Sequence, residues 1–472
     1  MDAGSNETDQ PRPLKSHYQL DWNPGVSPQA LLEVASRLYA GNRLSCWPAI
    51  QDSVAAMRSV DVFTPGKLPD VTYIGDHLIE RAKHLQDALE AGAAVVSLSG
   101  PSKSGKTVFI EKTIGKDRLL SVTGAGVDSP AVLWHRVFDL IGTPIPKGES
   151  VATGEQAGVS AKASGGIDVV TVLKAGGEVA GTQTWSSMST KQSDQLVDLL
   201  QLLIRELGGS GYVVFIDDFH YIPAAVQAEI AIQIKEAIRH DVLFICASVP
   251  YHSDDAVRAN PDLRGRLVKL DFDYWKPPEL EKIARRGFAA LNAKASDAYI
   301  QAIAMEAAGS PQLMQTLCLL SCFESEVRET AAQTASIASD ITAISKVCGR
   351  AASTSDYSST LEKMKDGPKA RGTPRNAYRL KDGTASDIYP IIVKALSADP
   401  PELTVRYQNL VKRVHDLCEG EPPSGSSISG TCSHIAAIAN ASENRLIVEW
   451  DAESEVFDIR DPYLLFYMRW AG

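Results

Sequence analysis

A chain of 472 residues with 44% hydrophobic side chains carries enough apolar material for about three domains with real cores. Its formal net charge of −11 excludes recruitment of nucleic acid or anionic lipid by bulk charge, leaving only a local basic patch to do so. The seven cysteines, Cys46, Cys246, Cys318, Cys322, Cys348, Cys418 and Cys432, are scattered without paired CxxC spacing, which argues against a zinc or redox motif and for reduced thiols in a cytoplasmic protein.

The opening stretch MDAGSNETDQPRPLK holds no apolar h-region, and no run of about eighteen apolar residues follows anywhere, so neither secretion nor membrane spanning is expected. Residues 1–60 read as a disordered tail and a short helical region. Its two patterns are SPQALLEVASRLYA, capped by Ser27 with Pro28 at the first helical position, and PAIQDSVAAMRSV. They suit either a helical collar on the next domain or a docking module for an effector.

From 61 to 275 the pattern changes. A helix over about 76–91 leads into the apolar strand AAVVSLSG, and further short apolar runs follow at RLLSV, GYVVFIDD, VLFICASV and RLVKLDF with amphipathic helices between them. Such alternation predicts an α/β domain with a parallel sheet and helices on both faces, a P-loop NTPase core. One segment, about 147–190, breaks it: Gly, Ser and Thr dominate, and the alternating centre GIDVVTVLKAGG suggests a β-hairpin excursion, used for contacts or simply a surface loop. Residues 276–350 are all helical in pattern and fit a lid. A polar, basic linker is expected over 351–383, and 384–472 reads as three helices, a two-stranded wing and a last helix, a winged-helix pattern.

The chemistry lies in two stretches. Gly100 to Thr107, GPSKSGKT, follows a predicted strand and opens a predicted helix, the context in which glycines turn backbone N–H groups onto phosphate oxygens at a helix N-terminus. Gly100, Ser102, Lys103, Ser104, Gly105, Lys106, Thr107 and Val108 are therefore expected against a nucleotide, with Lys106 on the β and γ phosphates and Thr107 on Mg²⁺. In YVVFIDDFHYI the strand ends in two carboxylates. Asp217 suits the metal's shell; Asp218 stands where a carboxylate orients or deprotonates the attacking water, one methylene shorter than a Glu, which points to slow hydrolysis.

Other positions complete the set. Ser248, at the end of VLFICASV, could bond the γ-phosphate or lytic water, or equally a backbone group. Arg264 and Arg266, just before the last strand, could reach a neighbouring subunit's γ-phosphate or form ordinary surface ion pairs. His220 and His252, single histidines beside these strands, suit packing better than catalysis. ATP is expected rather than GTP because no guanine-reading NKxD-type element occurs.

Taken together, GPSKSGKT, VVFIDD, Ser248, the arginines and GSP at Gly309–Pro311 resemble the STAND ATPases, the signal-transduction branch of the AAA+ and P-loop world. The resemblance covers roughly Asp61 to Trp470. It implies that Pro311 lies against adenine, that the end FDIRDPYLLFYMRW closes an archaeal-type ATPase of that group, and that nucleotide governs assembly. No effector enzyme, solenoid-period sensor repeat or winged-helix histidine motif is evident, so a separate protein partner is expected to supply sensor or effector.

The winged helix itself is poorly equipped to read DNA. Its third helix, SISGTCSHIAAIANA, has no Arg or Lys, and from Asp387 onward thirteen acidic side chains face seven basic ones. The basic linker KMKDGPKARGTPR could track a nucleic-acid backbone, although a solvated linker explains it as simply. The leading expectation is a regulatory ATPase whose nucleotide state controls homo-oligomerisation, in bacterial signalling or anti-phage defence. The alternatives are a DNA-transaction AAA+ ATPase, such as a replication initiator or transposition regulator, and an ATP-dependent protein remodeller.

Overall fold

The computed structural model describes residues 56–92, 94–144, 198–249, 263, 265–369, 375–443 and 446–471. The first N-terminal helical pattern, residues 48–55 of the second, the whole 147–190 segment, His252 and Arg264 lie outside the described residues.

Three strands, β1 (Val95–Ser99), β3 (Val213–Asp217) and β4 (Leu243–Ser248), are buried almost throughout, as their continuous apolar runs require of strands covered on both faces. The two others, β2 (Leu119–Thr123) and β5 (Leu267–Asp271), alternate or thin out in burial because they form the edges. All pair in parallel in the order β2-β3-β4-β1-β5. One face packs on α1 (Ile79–Ala91) and α2 (Lys106–Ile114) through Leu85, Phe109, Val96, Leu98 and Phe215. The other packs on α3 (Pro130–Ile141), α4 (Leu199–Leu207) and α5 (Ala224–Ala237) through Trp134, Phe138, Leu203, Ile230 and Phe244. The α/β P-loop NTPase architecture expected from the sequence is present.

The lid consists of α6 (Pro277–Ala290), α7 (Asp297–Glu306), α8 (Pro311–Glu324) and α9 (Ile341–Ala352), the last running slightly past the expected boundary at 350. Its core also takes in Val62, Phe63 and Ile74, with the Phe63 ring edge-on to Phe288 at 5.3 Å. The segment before α1, expected to belong to the sheet domain, is thus bonded by its apolar side chains to the lid.

Beyond α9 the structure corrects the expected 351–383 linker. Residues Ser358–Asp366 form α10, which buries Thr360, Leu361 and Met364 against the C-terminal core, and Tyr378–Arg379 pairs antiparallel with Ala385–Ser386. A nine-residue helix with three buried positions leaves little periodic signal in SSTLEKMKD. The C-terminal domain follows as α11 (Ile388–Leu396), β6 (Thr404–Arg406), α12 (Tyr407–Leu417), α13 (Gly425–Glu443), β7 (Val448–Asp451), β8 (Val456–Ile459) and α14 (Pro462–Trp470). The elements run helix–strand–helix–helix–strand–strand and end in a last helix. Where the sequence suggests a two-stranded wing, the antiparallel sheet has three strands, β6-β8-β7, because the three-residue β6 is too short to read locally.

Helix α14 ties this domain to the lid. Leu464 and Leu465 enter the C-terminal core while Phe466 enters the lid core. The Arg469 guanidinium donates to both Glu306 oxygens, at 2.9 and 2.7 Å, and Trp470 Nε1 donates to the same carboxylate at 2.6 Å. A bidentate, charge-assisted pair of this kind fixes orientation as well as contact.

Candidate nucleotide-binding site

The loop after β1 turns because of what stands beside it. A Cβ on Gly100 would lie 2.5 Å from Phe272 Cβ, so only glycine can leave the strand there. Further on, Lys103 (φ 62) and Gly105 (φ 92) adopt left-handed backbone, which bends the chain into the start of α2. Trp275 Nε1 donates to Ser104 O at 3.0 Å and braces the loop from the lid side.

Lys106 is the first residue of α2, and its Nζ donates to Gly100 O and Pro101 O, both at 2.7 Å. Burial pushes its ammonium down to about 8, with Asp217 and Asp218 pulling it back up. Phosphates would favour the charged form, so ATP binding above pH 8 is expected to take up a proton and to weaken as pH rises. Titration calorimetry at pH 8.5 in two buffers of different ionisation enthalpy checks the sign: the heats should differ by the uptake of a fraction of a proton.

Next to Lys106, α2 and β3 bring oxygen ligands together. Thr107 Oγ1 donates to Asp217 Oδ2 at 2.7 Å, and Asp217 Oδ1 accepts the Asp218 amide at 2.9 Å. A hydroxyl and a carboxylate at the carboxyl edge of the sheet are the hard donors that Mg²⁺ takes when phosphates and water supply the rest, and these residues fit that ion. Asp218 itself is left-handed (φ 54), and burial, then the Asp217 charge, push its carboxyl up, against the opposing pull of Lys106. A raised carboxyl suits proton transfer better than an ordinary surface aspartate.

Ser248 ends β4, in register with Ser99, and β4 lies between the strands that carry the loop and the carboxylates. The serine is therefore placed between the loop after β1 and the carboxylates at the end of β3. It lines a cavity of about 460 Å³ together with Ser102, Lys103, Gly105, Lys106, Thr107, Val108, Asp217, Asp218 and Pro311. Gly100 and Ser104 shape the loop without lining the cavity wall.

Arg266 is not brought to this cavity. Its carbonyl accepts from Val95 N at 2.8 Å, at the opening end of β1, so the five-residue strand separates it from the loop by roughly 16 Å. Its Nη1 is buried with no hydrogen-bond partner among the described residues. Arg266 is absent from the residues that line its own subunit's cavity.

The Gly-Ser-Pro segment behaves as a built corner. Ser310 caps α8, its Oγ accepting from Leu313 N at 3.2 Å, and Pro311 takes the first helical position. Gly309 has φ +79, and a Cβ there would lie 2.7 Å from Tyr274 Cβ. Gly309→Ala is expected to lower unfolding stability by about 1–3 kcal/mol, read from chemical denaturation of the full chain.

Several wall residues carry no local signal. The loop Thr64–Pro69, with Tyr73, Ile74 and Ile283, adds mostly apolar lining to the same cavity. Gln315 holds that loop: its Oε1 accepts from Thr64 N at 3.2 Å and its Nε2 donates to Thr72 Oγ1 at 2.7 Å. His220 also lines the cavity, its ring against Tyr221 at 4.3 Å. Only a long-range fold could place residues 64–74, 283 and 315 together. Among the described residues no group of three or more His, Cys, Asp or Glu is placed to hold a metal by itself, and no helix is long and apolar enough to cross a membrane.

Neither family models nor curated proteins match this chain. Among solved structures it is similar to Cdc6p of Pyrobaculum aerophilum, at 14% identity over 88% of this chain and 97% of the other, with a TM-score of 0.41. It is also similar to a Walker-type ATPase of Pyrococcus abyssi, at 12% identity over 84% and 96% (TM-score 0.46), and to the ORC2 protein of Aeropyrum pernix, at 13% identity over 88% and 97% (TM-score 0.45). Superpositions this loose add nothing to the sheet order and loop geometry, on which the site stands.

Proposed function

We propose that this chain is an ATP-binding, slowly hydrolysing switch whose nucleotide state controls its self-assembly. The observation that carries the reading is the convergence of Lys106, Thr107, Asp217 and Asp218 on one cavity at the carboxyl edge of β1 and β3, which Pro65, Leu68, Pro69 and Ile74 also line. Backbone N–H groups of the loop and the N-terminus of α2 hold phosphate oxygens. Lys106 leaves the Gly100 and Pro101 carbonyls to neutralise them. Thr107 and Asp217 hold Mg²⁺, and Asp218 orients the attacking water and accepts its proton at a carboxylate oxygen. Bound MgATP supplies the phosphoanhydride that is cleaved.

Arg266, remote from its own cavity, supplies the reason for assembly: a neighbouring copy's guanidinium would stabilise charge on the transferred phosphoryl group. The STAND resemblance assigns such a switch to signalling or anti-phage defence, with a protein partner as sensor or effector. Mass photometry with ADP, ATP and a non-hydrolysable analogue tests the reading; larger species with ATP support it, and an unchanged mass with all three contradicts it.

We read the C-terminal domain as an assembly surface or intramolecular clamp rather than a DNA reader. Its α13 presents no Arg or Lys over Gly425–Glu443. The full chain is expected to show no salt-sensitive duplex binding in fluorescence anisotropy at physiological salt, whereas sub-micromolar binding would favour a DNA-transaction ATPase.

A further inference from the structure

Lys103 sits at the apex of the phosphate loop and serves two surfaces. It lines the cavity, yet its Nζ donates to Asp461 Oδ1 at 3.0 Å and Oδ2 at 3.2 Å, across 358 positions of sequence. The same ammonium stands 4.0 Å from the centre of the Tyr463 ring. Asp461 is the cap of α14: its Oδ1 accepts the Tyr463 amide at 3.0 Å and its Oδ2 accepts the Tyr357 hydroxyl at 2.8 Å. The carboxylate is 2% exposed, whereas the lysine side chain retains 28%.

We propose that the Lys103–Asp461 pair is a latch that phosphate opens: the C-terminal domain is docked on the nucleotide domain through a cation that a bound nucleotide claims for itself. A nearly fully buried carboxylate is costly to leave without its counter-ion, so withdrawing Lys103 destabilises the docked arrangement far more than breaking a surface pair. The lysine, being the more exposed partner and on a flexible stem, is the one free to turn. Near the pair, the Tyr274 hydroxyl donates to Ile459 O at 3.2 Å and adds a polar tie between the segment after β5 and β8. Undocking moves α14 and with it the Arg469–Glu306 contact to the lid, which links phosphate occupancy to the relative placement of all three domains. By linkage, a latch that ATP opens must itself weaken ATP binding.

The inference rests on the cavity being an ATP site, and the test separates the two. Hydrogen exchange across Pro462–Trp470 is followed in the full chain with and without a non-hydrolysable ATP analogue, and the analogue's affinity is measured by calorimetry. In the wild type the analogue should speed exchange in α14. Asp461→Asn keeps the acceptor for the Tyr463 amide, so the helix cap survives while the charge is lost. It should exchange fast without nucleotide and bind the analogue about tenfold more tightly; Tyr357→Phe should move both readouts the same way by less. Tight binding to the wild type with α14 exchange unchanged or slowed overturns the latch alone, as does Asp461→Asn with affinity unchanged within about twofold. Absence of binding to the wild type overturns the ATP reading and the latch with it.

Discussion

Lys106→Ala is expected to lower ATP affinity by about 10²-fold while leaving the chain folded. The loss follows from removing the one ammonium that reaches from the start of α2 across the mouth of the loop, where its charged hydrogen bonds to phosphate form away from bulk water. Folding should survive because the side chain belongs to no apolar core: its two bonds go to the carbonyls of Gly100 and Pro101 in the loop. Calorimetric titration with ATP, alongside a thermal melt, measures both. Unchanged affinity would remove the loop from the site.

Separating the adjacent carboxylates has an equally large effect. Asp217 is bonded to Thr107, so Asp217→Ala should weaken MgATP binding and assembly together, with ATP in the absence of Mg²⁺ affected little. Asp218 bonds no metal partner and carries the raised carboxyl. Asp218→Asn should keep MgATP bound, lower turnover by roughly 10² or more and accumulate the ATP-dependent assembly. Phosphate release and light scattering on the same samples distinguish the two variants. If both lose binding equally, the division of labour between the carboxylates is wrong.

The sheet domain was legible because its signals are local. Four apolar residues ending in Asp217 and Asp218, and a strand running into Gly100–Thr107, each specify a strand end by pattern alone, and the structure places them on β3 and β1 with β4 and Ser248 between. The GSP segment was singled out only through a resemblance; its left-handed Gly309, capping Ser310 and first-turn Pro311 are findings of the structure. What escaped was held together over distance. Gln315 meets Thr64 and Thr72 across about 250 positions, and Asp461 meets Lys103 across more, so no window of sequence contains either contact. Helix α10 escaped for a different reason: its apolar face is three residues wide, and the basic side chains around it read as linker.

The position of Arg266 is where the assembly claim is most exposed, because its side chain does not line its own subunit's cavity. The rate of phosphate release per subunit, measured over a range of protein concentrations with saturating MgATP, tests it directly. Trans completion of the site predicts a per-subunit rate that rises with concentration to a plateau; a rate independent of concentration would contradict it and make the chain a monomeric ATPase.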